Sequence, residues 1–177
     1  MSITLDGHHT RQTRVAFVDC PLGRLTLVAE GNALHAILWP CQAASTPATT
    51  SVAERSDTLV NTAIKELNAY FRGTLKQFSV PLAPQGTAFQ KTVWAALGRI
   101  AYGDTQSYRD IARAIDRPSA ARAVGAAIGK NPLSVITPCH RVIASNGQLT
   151  GFAGGLAAKG TFIKTDGRGP PITRCGR

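Results

Sequence analysis

The sequence predicts an α+β protein in two parts: a small antiparallel three-stranded sheet with one helix, then a mainly helical half containing a helix-turn-helix. Three observations predict it. Residues 13–39 alternate in short β-rich runs divided by tight turn signals. From residue 57 onward, apolar residues recur at helical spacing. The charge also divides near the middle: residues 1–86 hold seven Lys/Arg against six Asp/Glu, and residues 87–177 hold thirteen against four. The expected domains are therefore residues 1–86 and 87–177, with Pro81, Pro84 and Gly86 marking the join.

Thr13 to Val18, Arg24 to Ala29 and Ala33 to Trp39 read as strands, with turns at Pro21-Leu22-Gly23 and Glu30-Gly31-Asn32. Connections this short permit only antiparallel pairing. Residues 40–56, rich in Ala, Ser, Thr and Pro, read as a loop. Asp57 opens a helix through Phe71, with Leu59, Val60, Ala63, Ile64, Leu67, Tyr70 and Phe71 along one side. Arg72-Gly73 stops it, and Phe78 to Leu82 adds a short extended segment.

In the second half Thr87 caps a helix carrying Phe89, Val93, Trp94, Leu97 and Ile100 at helical spacing. Tyr102-Gly103-Asp104 breaks the pattern. Ser107 caps a helix from Tyr108 to Ile115, Asp116-Arg117-Pro118-Ser119 turns the chain, and a further helix spans Ala120 to Ile128. Two short helices joined by a tight turn form a helix-turn-helix, a weak signal by itself because many helical hairpins bind nothing. Leu133 to Thr137 reads as a strand or extended run leading to Pro138-Cys139-His140-Arg141.

Composition narrows the class. With 44% hydrophobic and 17% charged residues in 177, the chain reads as an ordinary globular protein. No apolar run approaches a membrane span, and the first residues lack a basic start followed by an apolar core, so a cytoplasmic protein is expected. Cys20, Cys41, Cys139 and Cys175 lack the paired C-x-x-C rhythm of a zinc or redox centre. His8, His9, His35, Cys20 and Cys41 are the first-half residues with metal-binding chemistry; surface histidines and small buried cysteines explain them as well, and no metal is expected.

A basic half beside a neutral one is the electrostatic footprint of a nucleic-acid surface, or a solvated face that serves solubility. The last helix of the helix-turn-helix is nearly all small residues around Arg122. Groove-reading helices present long polar side chains to base edges. A helix of Ala and Gly instead brings its backbone close to a sugar-phosphate wall, as in minor-groove docking, or packs tightly on another helix.

Cysteine is a strong nucleophile only as thiolate, and an ordinary thiol is a few per cent ionised near neutrality. His140 beside Cys139 offers a base, directly or through a water. Asp104, Asp110, Asp116 and Asp166 are the second-half carboxylates available to hold its tautomer. In a strand the two neighbours would point to opposite faces, so cooperation requires a turn.

From Phe89 to Gly155 the chain resembles the O6-alkylguanine-DNA alkyltransferases, or methylated-DNA–protein-cysteine methyltransferases. The resemblance rests on Phe89-Gln90-x-x-Val93-Trp94, Ile100-Ala101-Tyr102-Gly103, Ser107-Tyr108, Ala121-Arg122-Ala123-Val124-Gly125, Gly129-Lys130-Asn131-Pro132, Pro138-Cys139-His140-Arg141-Val142 and Gly151-Phe152-Ala153-Gly154-Gly155, in the family's order and spacing. Pro21-Leu22-Gly23 and Leu67-x-x-Tyr70-Phe71-x-Gly73 extend it more loosely into the first half. It implies a ribonuclease H-like first domain and, in the second, irreversible transfer of an alkyl group from O6-methylguanine, and from O4-methylthymine, to Cys139, once per molecule.

The roles the resemblance implies are specific. His140 deprotonates Cys139 through a bridging water, and Asp166 orients His140. Tyr108 helps turn the nucleotide out from the minor-groove side and protonates guanine N3, and Arg122 fills the gap in the base stack. Asn131 ties the helix-turn-helix to the cysteine loop. Ser134, Phe152, Ala153 and Gly154 line the pocket, while Ser119, Ala123, Gly125 and Ser145 join Tyr108 and Arg122 on DNA. The carbon comes from DNA, so no cofactor is needed. The partner is duplex DNA bearing O6-alkylguanine, bound by a monomer able to cooperate along the duplex.

Four positions depart from the family pattern. Asp166 stands where glutamate is usual, Phe152 where tyrosine is common, Thr137 where an apolar residue is usual, and Gly160 falls inside the final helix. One alternative is a non-catalytic sensor of alkylated DNA that recruits other repair factors; that branch lacks the cysteine kept here. A Cys-His hydrolase of small acyl substrates would leave the basic half and Arg122 unexplained.

Overall fold

The computed structural model describes residues 13–40, 42, 51–54 and 56–167. His8, His9, Cys41, Cys175 and the Pro170-Pro171 tail lie outside them. Strands β1 (Thr13–Cys20), β2 (Gly23–Glu30) and β3 (Ala33–Leu38) form the expected antiparallel meander. A two-residue strand, β4 (Ser51–Val52), joins β1 in parallel, so the sheet order is β3-β2-β1-β4. The loop expected over 40–56 thus contributes an edge, too short to leave a periodic signal.

Central strand β2 buries Leu25, Thr26 and Leu27 in succession, as a strand flanked on both edges does. Helix α1 (Thr58–Phe71) lays Val60, Ala63, Leu67 and Tyr70 into the core that includes Leu25, Leu27, Leu34 and Ile37. Its cap also joins it to the sheet. Asp57 accepts from the Val60 N–H at 3.1 Å, the kind of cap worth about 1 kcal/mol, and from Arg14 of β1 at 2.6 Å.

Helices α2 (Ala88–Leu97) and α3 (Tyr108–Ala114) both begin with reciprocal capping boxes, Thr87 with Gln90 and Ser107 with Asp110. Helix α4 (Ala121–Gly129) has no side-chain cap. The chain turns into α4 through Asp116 at φ 57°, a left-handed conformation that aspartate tolerates better than most residues. Val93, Trp94, Leu97, Ile111, Ala112, Val124 and Ile128 form one core beneath the helix-turn-helix, and Trp94 Nε1 donates to the Ala127 carbonyl at 2.9 Å.

The strand expected over Leu133–Thr137 is instead a buried turn. The Thr137 N–H donates to the Leu133 carbonyl at 2.8 Å, and Val135 sits at φ 77°. Leu133 alone makes a bridge, to Ile37 of β3. A buried apolar run looks the same locally whether a ladder or a side chain satisfies its backbone, and here Asn131 does that work. A β-branched residue at positive φ costs of order 1–3 kcal/mol and persists only where its surroundings hold it. The turn delivers a 3₁₀ segment, Cys139–Arg141, and then β6 (Val142–Ile143), which pairs in parallel with β5 (Gln106–Ser107) just before α3. Helix α5 (Leu156–Thr165) closes the fold and runs through Gly160 without a break.

Candidate active site

The 3₁₀ turn solves the problem that a strand would pose. It buries Cys139, His140 and Arg141 together, between the helix-turn-helix core and α5. Asn131, two residues beyond α4, fastens this loop: its Nδ2 donates to the Thr137 carbonyl at 2.9 Å and its Oδ1 accepts from the Leu133 N–H at 3.0 Å. The end of the helix-turn-helix and the cysteine loop are thereby one hydrogen-bonded unit.

Asp166, the C-cap of α5, is the carboxylate that reaches His140, with Oδ2 3.2 Å from Nε2. Asp104 stands beside it, lining a small recess with Arg141 and Asp166, while Asp110 is engaged in the α3 capping box and Asp116 lies in the turn before α4. Three groups that the sequence reading gave no role surround the same site. Arg141 Nε donates to Asp166 Oδ2 at 2.6 Å and its Nη1 to the Ile100 carbonyl at 2.8 Å. Tyr70, from α1 of the first domain, donates to Asp166 Oδ1 at 2.8 Å. Lys159 is fully buried on α5 and donates to the Thr150 carbonyl at 2.7 Å.

The electrostatics follow from this crowding. Burial pushes the Cys139 thiol above its ordinary pKa, against the opposing pull of the Asn131 side chain, the Lys159 charge and Ser134. Burial pushes His140 down, and Asp166 opposes it, so the imidazole is neutral near pH 7 and able to accept a proton. Burial would raise Asp166, but hydrogen bonds from His140, Arg141 and Tyr70 outweigh it and hold the carboxyl below its ordinary value. Lys159 is lowered by burial to about 8, with Cys139 opposing the shift.

Phe152 packs edge-on against Trp39 at 5.7 Å and Phe162 at 5.8 Å, so β3 and the residue after it buttress the lip of the cysteine site. A Cβ on Gly154 would stand 3.0 Å from Trp39 and 3.1 Å from Phe152, so any larger residue here would press on these two rings. Ser134 is buried and Ala153 is exposed. Tyr108 opens α3, with its hydroxyl 3.1 Å from Thr150 Oγ1 and its ring 3.6 Å from the position of a Cβ on Gly125. Ser119, Arg122, Ala123 and Ser145 are exposed; the first three occupy the turn into α4 and its first residues, and Ser145 follows β6. A cavity of about 650 Å³ lies behind the cysteine loop, against Trp94, Tyr102, Pro138 and Arg141; Ser134, Phe152, Ala153 and Gly154 do not line it.

Among the described residues no group of three His, Cys, Asp or Glu side chains gathers as a metal site, and no helix is long and apolar enough to cross a membrane.

Two family models match the chain: the ribonuclease-like domain of 6-O-methylguanine DNA methyltransferase over residues 13–84, and the DNA-binding domain of the same family over residues 88–168. A methylated-DNA–protein-cysteine methyltransferase of Mycolicibacterium paratuberculosis is 42% identical over 88% of this chain and 93% of its own length. The chain belongs to the methylated-DNA–protein-cysteine methyltransferase family. A second family member, from Methanosarcina acetivorans, is 54% identical over 59% of this chain and 67% of its own. Among solved structures of the family, Mycobacterium tuberculosis OGT in complex with DNA superposes with a TM-score of 0.80 and 40% identity, covering 89% of this chain and 95% of that one. Ordered as in its relatives, this family member has a ribonuclease-like α/β first half and a DNA-binding second half.

Proposed function

We propose that this protein repairs DNA by transferring the alkyl group of O6-methylguanine to Cys139. The observation that carries the reading is the buried Cys139–His140–Asp166 arrangement in a member of this family. The thiol proton passes to neutral His140 through a water. The thiolate attacks the methyl carbon, the S–C bond forms as the C–O6 bond breaks, and the electron pair goes into the guanine ring, where Tyr108 protonates N3. Lys159, positively charged beside the thiolate, opposes the cost of carrying that charge in a buried site. The product thioether neither hydrolyses nor exchanges, so each molecule acts once, and no cofactor enters the balance.

Reaching a base edge requires turning the nucleotide out of the duplex, which costs a few kcal/mol. Arg122, exposed at the start of a helix of small residues, fits the vacated stack from the minor groove and offsets part of that cost. The test uses duplex DNA carrying labelled O6-methylguanine. Transfer places the label on Cys139; label left on bound DNA indicates sensing alone, and released label indicates hydrolysis. The same assay with O4-methylthymine decides whether that base is a second substrate.

Arg122→Ala is expected to slow repair of duplex DNA by at least about tenfold, since losing about 1.4 kcal/mol of flipping support is tenfold in rate. Reaction with free O6-benzylguanine, which needs no flipping, should be unchanged. Equal slowing on both substrates would move Arg122 into folding or the pocket.

A further inference from the structure

Asp166 has more partners than a relay to His140 requires, and one comes from the other domain. Tyr70, near the end of α1, is fully buried. Its hydroxyl donates to Asp166 Oδ1 at 2.8 Å and lies 3.2 Å from His140 Nε2. Phe71, Phe78 and Phe162 hold its ring, with centroids between 5.4 and 6.5 Å away. A phenol has one hydrogen, and the bond to Asp166 uses it, so the oxygen presents a lone pair to His140. Asp166 Oδ2, also an acceptor, is 3.2 Å from the same nitrogen. Nε2 thus meets two acceptors and must carry the imidazole hydrogen. Nδ1 is then bare; it is buried and has no hydrogen-bond partner among the described residues.

Asp166 alone is a weak lock. Its Oδ2 is drawn to Arg141 at 2.6 Å, while its 3.2 Å contact with His140 exceeds the 2.7–2.9 Å usual for a charge-assisted bond. We infer that Tyr70 is a positioning residue for the transfer: it fixes the plane of Asp166 and, as a second acceptor, holds His140 in the Nε2–H tautomer, leaving Nδ1 to take the Cys139 proton. The inference rests on the transfer reading above. It also gives the first domain a part in the chemistry of the second, because a side chain of α1 ends at the base. The titratable and charged groups around His140 are Cys139 and Arg141 from its own turn, Tyr70 from α1, and Lys159 and Asp166 from α5. Arg141 and Lys159 both disfavour a protonated imidazole.

The test is Tyr70→Phe, which removes one oxygen and leaves the ring packing in place. Nitrogen NMR of ¹⁵N-imidazole-labelled protein, without DNA, is expected to show one protonated Nε2 and one bare Nδ1 for His140 in the parent. The variant should show the two shifts averaging toward each other as both tautomers populate. Transfer to free O6-benzylguanine should slow on the order of tenfold, less than a full loss of tautomer control because Asp166 remains. A structural loosening would lower the rate and leave the two nitrogen shifts apart. An unchanged tautomer signature overturns the assignment. If the parent itself transfers no label, the transfer reading fails instead, and the NMR result still decides whether Tyr70 sets the tautomer.

Discussion

Replacing Cys139 with alanine is expected to abolish methyl transfer while leaving affinity for duplex DNA intact. Among the described residues the thiol is the only sulfur held in the His140–Asp166 site: Cys20, the other described cysteine, hydrogen-bonds the Gly23 carbonyl in the first domain. The substitution removes one buried sulfur from a core that includes Val93, Trp94, Leu97 and Val142, a volume change costing of order 1 kcal/mol. The exposed turn and first residues of α4 are untouched, so the DNA-facing surface survives. With no anion able to form beside it, Lys159 loses the one group that pulls its pKa upward, and its titration should move below about 8. Mass spectrometry after incubation with methylated duplex, with a parallel binding isotherm, checks both halves of the expectation. Label recovered on Cys20, Cys41 or Cys175 of the variant would overturn the choice of nucleophile.

Local chemistry made much of this architecture legible. Thr87 and Ser107 announce their helices because a hydroxyl followed three residues later by an acceptor satisfies orphan N–H groups without help from the rest of the fold. The meander was legible for the same reason, since its turns are too short for any other pairing. Leu133 to Thr137 was not, because its backbone partner is the Asn131 side chain and no periodicity encodes that. The site divides in the same way. Cys139 and His140 are neighbours in one motif, whereas the residues alone left Asp104, Asp110, Asp116 and Asp166 open as the third group; the resemblance implied Asp166, which the fold places 3.2 Å from His140. Tyr70 sits at an inward position of an amphipathic helix, where apolar packing explains it fully, and only the folded chain shows its hydroxyl against Asp166. Lys159 was the least legible: a lysine in a helix reads as solvent-facing, and nothing in the sequence signals that α5 turns it inward.

Asp166→Asn, which keeps the shape and removes the charge, should lower the rate of transfer to free O6-benzylguanine by at least about tenfold near pH 7. The effect passes through His140. Asp166 is the main group raising the proton affinity of His140 against burial. Without it the imidazole falls further below its ordinary pKa and becomes a poorer acceptor. The rate should then recover only at higher pH, where the buried thiol gives its proton to solvent. That recovery is cut short, because Lys159 loses its charge above about 8 and with it the stabilisation of the thiolate. The pH profile of the variant should therefore be lower, shifted upward and narrower than the parent's. The substitution also strips Arg141 of its carboxylate partner, and an unpaired buried charge costs about 3–5 kcal/mol, so thermal unfolding should shift down alongside. Asp166→Glu separates the two effects, since it keeps the charge for Arg141 and extends the reach toward His140: it should restore both the unfolding temperature and the profile. Restored stability with an unrestored pH profile would mean that the position of the carboxylate, and not its charge, sets the base. A rate and profile unchanged in Asp166→Asn would remove Asp166 from the relay and leave His140 to Tyr70.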